Sequence, residues 1–192
     1  MSGDGRVGAV ILAAGRSRRY GSPKQLALTG GWTLLEHAIA AALGAGLAPV
    51  VAVVPVWLSR PASLEASGVE WIRNPFPERG MSLSLRLGFG ALHDEVAAVI
   101  LLGDQPGVPR STIAAVLAAR GDRPVVATEA NGIQAPPVLV ERSHFHLVGR
   151  LDGEIGLRGW LASNPNLVLA VPVADHAPDI DTPEDLSRLR DP

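Results

Sequence analysis

Three short, uninterrupted apolar runs constrain this chain most: VGAVIL from Val7 to Leu12, PVVAVV from Pro49 to Val54, and AAVILL from Ala97 to Leu102. Runs of this length, bounded by turn residues, are of strand type. Helix-like segments separate them, with Gly and Pro at the junctions, and this alternation points to an α/β layered fold. The pattern predicts a helix near 34–43 whose start carries a capping box, Thr33 with Glu36. It also predicts a short strand near 69–72, a helix running to about Leu92, and a helix to about Arg120 capped by Ser111. Further strands are expected at 124–127, 137–140 and 167–171, with short helices flanking LDGEIGLRGWL. A closing helix starts at Pro183, with Thr182 as its cap and Asp185 three residues after it. No polar linker divides the 192 residues, so one domain over 1–192 is the expectation.

Two segments could mislead a hydropathy scan. From Ala38 to Leu58 no residue is charged, a length that could span a bilayer. Gly44, Gly46, Pro49 and Pro55 instead divide it into a helix end, a turn and a strand. At the N-terminus, Asp4 and the arginines after the first apolar run are unlike a secretory signal. The absence of cysteine excludes disulfides, thiolate ligands and cysteine nucleophiles, and fits a reducing cytoplasm. A formal net charge of -2 gives no reason to expect nucleic-acid or acidic-membrane binding.

Against that neutral background the segment after the first run stands out. Arg16, Arg18, Arg19 and Lys24 fall within nine residues, directly after Ala13, Ala14 and Gly15. Small residues let a ligand approach the main chain, and consecutive N–H groups in such a turn form an anion-binding concavity. Guanidinium forks and a compact ammonium would complete a polyphosphate site. A solvated basic surface loop is the competing reading. Neither G-x-x-x-x-G-K-[ST] nor G-x-G-x-x-G occurs in this turn.

In doubly wound sheets ligands sit beyond the carboxyl ends of the strands, where Asp104 follows AAVILL. A carboxylate there suits Mg²⁺, which takes hard oxygen donors and needs one or two carboxylates beside substrate phosphates. An Asp that simply closes the turn GDQP is the alternative. The second candidates are Asp179 and Asp181 in DIDTPEDL. Asp181 immediately precedes the Thr182 cap, and capping accounts for neither aspartate. His144 and His146 alternate around Phe145 and read as structural or surface groups.

The set LAAGRSRRYGSPKQL, NPFPERGMSLSLRLG, LLGDQP, PPVLV, LDGEIGLRGWL and DIDTPEDL resembles the molybdenum cofactor cytidylyltransferases, within the wider nucleotidyltransferases. The resemblance runs from about Val7 to Leu189. Pairing of LAAG with GDQP resembles the cytidylyl branch, where the guanylyl branch reads LAGG and GDMP, so Ala14 and Gln105 discriminate. The resemblance implies a single three-layer α/β/α domain with a Rossmann-like, mostly parallel sheet. A nucleotide-binding half would span about 7–120 and an acceptor-binding half about 121–192. It further implies transfer of CMP from CTP to the terminal phosphate of molybdenum-loaded molybdopterin, with release of pyrophosphate. Leu12, Ala13, Ala14 and Gly15 would meet the nucleotide through the backbone, with Arg16 beside them. Arg19 and Lys24 would hold phosphates, and Asn74 and Gly80 to Ser84, including Ser82, would form the base and ribose pocket. Asp104 and Asp181 would bind Mg²⁺, and Lys24, Arg19 and Asp104 would be the catalytic groups. A molybdenum hydroxylase apoenzyme is the implied recipient of the cofactor.

The chain departs from that pattern in three places. Ala135, Pro136 and Pro137 stand where the family shows Gly-His-Pro, which removes a histidine from the acceptor side. Glu154 and Leu157 replace Asp and Ala in LxGDxGAR. Pro55 leaves no side-chain amide after the second strand. Two other readings stay open: the same chemistry with GTP or with a sugar, polyol or isoprenoid-precursor phosphate as acceptor, and a weakly catalytic nucleotide-binding or cofactor-delivery protein.

Overall fold

The computed structural model of the protein describes residues 5–17, 19–65, 67–149 and 157–190. Arg18 and the whole of LDGEIG, including Glu154, lie outside the described residues. In chain order the elements are β1 (Val7–Leu12), β2 (Leu28–Thr29), β3 (Trp32–Thr33), α1 (Leu34–Gly44), β4 (Val50–Pro55), β5 (Glu70–Asn74), α2 (Met81–Gly90) and β6 (Ala97–Leu102). Then follow α3 (Arg110–Ala118), β7 (Val125–Ala130), β8 (Ile133–Glu141), α4 (Phe145–Gly149), α5 (Leu157–Ser163), β9 (Val168–Pro172) and α6 (Pro183–Arg190). Seven strands form one sheet in the order β5-β4-β1-β6-β8-β7-β9, and within it β8 alone runs antiparallel to its neighbours. The fold is a single α/β domain with a mostly parallel sheet.

Continuous apolar strands arise because both faces of this sheet are covered. Along β1, Ala9 and Ile11 pack with Leu35 and Ile39 of α1 and with Ile113 and Val116 of α3. Val10 and Leu12 face the other way, against Leu85 and Phe89 of α2. The helix α2 lies close to the sheet because Gly88 has no side chain: a Cβ there would overlap Val10 and come within 3.1 Å of Val53. Gly88→Ala is therefore expected to cost about 1–3 kcal/mol by overpacking, read as a lower denaturation midpoint at unchanged slope.

The capping box at α1 forms as the sequence predicts: Thr33 Oγ1 accepts from the Glu36 N–H at 3.1 Å, and Glu36 accepts from the Thr33 N–H at 2.8 Å. The uncharged stretch 38–58 is the end of α1, a turn and β4. Among the described residues no helix is long and apolar enough to cross a membrane.

Elsewhere the structure corrects the sequence reading. Ser111 does not cap α3; the helix already begins at Arg110, after Pro109, with no side-chain cap. Proline fixes φ ahead of the helix, and the Pro109 carbonyl accepts from the Thr112 N–H at 3.1 Å. The strands expected at 124–127 and 137–140 are longer and form one hairpin, turning at Asn131 and Gly132 with φ of 54° and 74°. Consecutive positive φ values are what a tight hairpin requires, and Asn-Gly is the usual pair for it. The pairing shifts register between Ala127 and Thr128, opposite Pro136 and Pro137, which have no N–H to offer a ladder.

Candidate active site

The site lies where β1 and β6 end side by side, Leu12 opposite Leu102. Gly103 allows that closeness, since a Cβ on it would sit 2.8 Å from the Ala13 Cβ. Its N–H donates to the Leu12 carbonyl at 2.9 Å, and the next residue is Asp104. A distant segment is docked onto this point by one apolar residue. Ile180 is fully buried with Leu34 and Leu186, and its N–H donates to the Asp104 carbonyl at 3.0 Å. Burying Ile180 brings the two aspartates that flank it, Asp179 and Asp181, to the end of β6. The start of α6 then fixes the backbone there: Asp185 Oδ2 accepts from the N–H groups of Asp181 at 3.1 Å and Thr182 at 2.8 Å. Thr182 Oγ1 in turn accepts from the Asp185 N–H at 3.2 Å.

Lys24 joins the two carboxylates. Its Nζ lies 2.5 Å from Asp104 Oδ2 and 3.0 Å from Asp181 Oδ1, and Arg19 reaches Asp181 Oδ2 at 2.7 Å. The Lys24 side chain is 12% exposed, whereas that of Arg19 is 74% exposed, so the lysine contact carries more electrostatic weight. Burial opposes the Lys24 charge, but Asp104 and then Asp181 outweigh it, and its pKa stands above the ordinary lysine value. Desolvation, reinforced by the charges of Asp104 and Asp181, pushes the Asp179 carboxyl above the usual carboxylate range.

Gln25, which the sequence reading passed over, shapes the loop. It is 3% exposed, and its Nε2 donates to the carbonyls of Ala13 at 2.9 Å and Gly15 at 2.7 Å. A trans peptide points each carbonyl opposite to the following N–H, so pinning these two turns the N–H groups of Ala14 and Arg16 away from Gln25. Among the described residues neither N–H has a partner. Ser17 completes the turn at φ 50°, with its Oγ accepting from the Lys24 N–H at 3.2 Å. A loop with carbonyls tied back and N–H groups free can receive an anion. Gln25→Leu is expected to weaken binding of inorganic tripolyphosphate about tenfold, because the carbonyls of Ala13 and Gly15 lose their donor and the loop relaxes; calorimetric titration would measure it, and unchanged affinity would refute the strut role.

A cavity of about 410 Å³ opens over these groups. Of the residues anticipated from sequence, Leu12, Ala13, Ala14, Gly15, Arg16, Arg19 and Lys24 line it from the loop side. Gly80 and Ser84 line it from the start of α2, and Asp104 and Asp181 from the far wall. Asn74 and Ser82 do not. Asn74 is fully buried behind the wall, where its amide donates to Ser84 Oγ and its carbonyl oxygen accepts from the Phe76 N–H, both at 2.9 Å. It positions Ser84, which does line the cavity. Gln105 is also buried, with its Nε2 donating to the Ala177 carbonyl at 3.1 Å. Beside the Ala135 segment stands His176, which the sequence reading did not single out, 3.3 Å from Thr128 Oγ1. No cluster of three or more metal-ligating side chains occurs among the described residues. The donor set nonetheless fits a divalent cation completed by substrate phosphates, because two carboxylates already share one cationic centre.

Residues 9–168 match the MobA-like NTP transferase domain, and the chain belongs to that family. The protein is 29% identical over 198 residues to a nicotine blue oxidoreductase from Paenarthrobacter nicotinovorans, an alignment covering 95% of this chain and 96% of that one. It is 30% identical over 121 residues to the bifunctional enzyme IspD/IspF of Novosphingobium aromaticivorans, covering 61% of this chain and 31% of that longer protein. Among solved structures, Rv0371c from Mycobacterium tuberculosis superimposes with a TM-score of 0.84 at 27% identity, covering 97% and 99% of the two chains. A complex of that mycobacterial protein with manganese is also known.

Proposed function

We propose that this protein is a Mg²⁺-dependent cytidylyltransferase that transfers CMP from CTP to the terminal phosphate of molybdenum-loaded molybdopterin. The observation that carries the reading is the Lys24 ammonium shared by Asp104 and Asp181 beside a loop with free N–H groups. One family relative is named an oxidoreductase, so membership leaves the reaction open, and the cluster argues for phosphate chemistry. The manganese complex of Rv0371c supports divalent-metal use, with Mg²⁺ as the ion proposed here. The choice of cytidine rests on Ala14 and Gln105. Residues 7–120 would hold the nucleotide and 121–192 the acceptor.

In the reaction an oxygen of the acceptor's terminal phosphate attacks the α-phosphorus of CTP in line. The bond from α-phosphorus to the bridging oxygen breaks, and pyrophosphate leaves with the electron pair. No protein nucleophile is needed, since positioning and charge stabilisation suffice. The N–H groups of Ala14 and Arg16 would cradle the triphosphate, and Arg19 and Lys24 would offset charge developing on it. Asp104 and Asp181 would hold Mg²⁺, which when bound neutralises phosphate charge. Lys24 would turn from the carboxylates to the phosphates, which would free Asp104 and Asp181 to hold the metal.

The test is pyrophosphate release by the purified protein with each of the four NTPs, Mg²⁺, and either molybdenum-loaded molybdopterin or a panel of sugar and polyol phosphates. Fastest release is expected with CTP and the molybdopterin. Release with CTP and a different acceptor would overturn the acceptor assignment alone.

A further inference from the structure

A second cavity, of about 430 Å³, adjoins the first across the backbone of Ala14, Gly15 and Arg16. Its chemistry differs: among the described residues no carboxylate lines it, and beside Arg16, Ser17 and Ser22 its lining is dominated by Pro23, Pro55, Trp57 and Pro77. Trp57 is 54% exposed, an unusual state for the largest apolar side chain. The backbone on either side of it is held in place. The turn is closed by the Leu58 N–H donating to the Pro55 carbonyl at 3.1 Å, Leu58 itself is buried, and the Leu58 carbonyl accepts from the Trp71 indole N–H at 3.1 Å. Among the described residues no aromatic ring or cation packs on Trp57. An exposed indole lining a cavity together with Pro23, Pro55 and Pro77, and with Arg16, Ser17 and Ser22 as polar neighbours, fits a flat ring with polar edges.

We propose that this second cavity is a ring-binding subsite in which Trp57 stacks on the nucleobase of the bound nucleotide. The inference rests on the nucleotidyltransferase reading and adds a residue to it. A nucleotide has one end that wants cations and N–H donors and another that is a planar heterocycle. The two cavities offer these two environments on either side of one loop, and the loop backbone they share is the natural track for the ribose phosphate. Stacking is tolerant of base identity, so Trp57 supplies affinity, and polar groups must supply the choice among bases.

Trp57 is exposed and makes no hydrogen bond that the fold depends on, so its variants should fold, which thermal melting checks. Calorimetric titration of the full chain with CTP, and separately with inorganic tripolyphosphate, both with Mg²⁺, reads the proposal. Trp57→Ala is expected to weaken CTP binding about tenfold while leaving tripolyphosphate affinity within about twofold, and Trp57→Phe to retain most CTP affinity. CTP should also quench tryptophan fluorescence in the natural protein and do so far less in Trp57→Phe. Equal CTP affinity in Trp57→Ala and the natural protein would overturn the stacking role, as would parallel loss of CTP and tripolyphosphate binding. A natural protein that binds tripolyphosphate but no nucleoside triphosphate would overturn the nucleotide reading itself.

Discussion

Replacing Asp104 by Ala is expected to lower metal-dependent turnover by about 100-fold or more, with a thermal midpoint within a few degrees of the natural protein. The two readouts separate because of where the residue sits. Asp104 is held by its backbone: its carbonyl accepts from the buried Ile180, and the preceding Gly103 N–H donates to Leu12. Truncating the side chain leaves those bonds in place. What disappears is one of the two carboxylates that share Lys24, which stays paired to Asp181. Steady-state kinetics across a Mg²⁺ titration, beside a melting curve, would measure both. Turnover equal to that of the natural protein would refute the metal role.

Lys24→Met is expected to have two opposite effects. Turnover should fall about 100-fold, since the charge that meets the phosphates is gone. Affinity of the nucleotide-free protein for Mn²⁺ should rise, by roughly tenfold, because Nζ at 2.5 Å and 3.0 Å occupies the oxygens that a metal would take. With nucleotide bound the gain in metal affinity should vanish, since on the proposed reading the lysine would then have turned to the phosphates. Calorimetry with Mn²⁺ alone and with CTP present distinguishes the states. A lysine serving only to brace the two aspartates would instead weaken metal binding when removed.

Local chemistry was legible in the sequence where one segment both carries and satisfies it. The capping boxes at Thr33 and Thr182 are of this kind, and the apolar strands were legible from their length and the turn residues that bound them. The hairpin of β7 and β8 was also written locally, in Asn131-Gly132, but Pro136 and Pro137 made the second strand look shorter, because prolines sit in strands only where pairing is interrupted. The site's assembly was less legible. Gln25 reads as one polar residue in a basic loop, and its role depends on carbonyls ten and twelve positions away being turned toward it. Asp181 reaches Lys24 across 157 positions because Ile180, a single apolar residue in an acidic stretch, finds a pocket beside Leu34. Asn74 shows the converse: an amide near a predicted ligand site, spent on holding Ser84 and the turn at Phe76. Burial separates such a strut from a ligand contact, and burial at a strand end is a property of the whole fold.

The most direct test of the account is a product balance. The protein is incubated with CTP, Mg²⁺ and molybdenum-loaded molybdopterin, and pyrophosphate and the cytosine dinucleotide of the cofactor are quantified together. Equal amounts of the two, both abolished in Asp104→Ala, are the predicted result. Absence of pyrophosphate with every one of the four nucleoside triphosphates would contradict it.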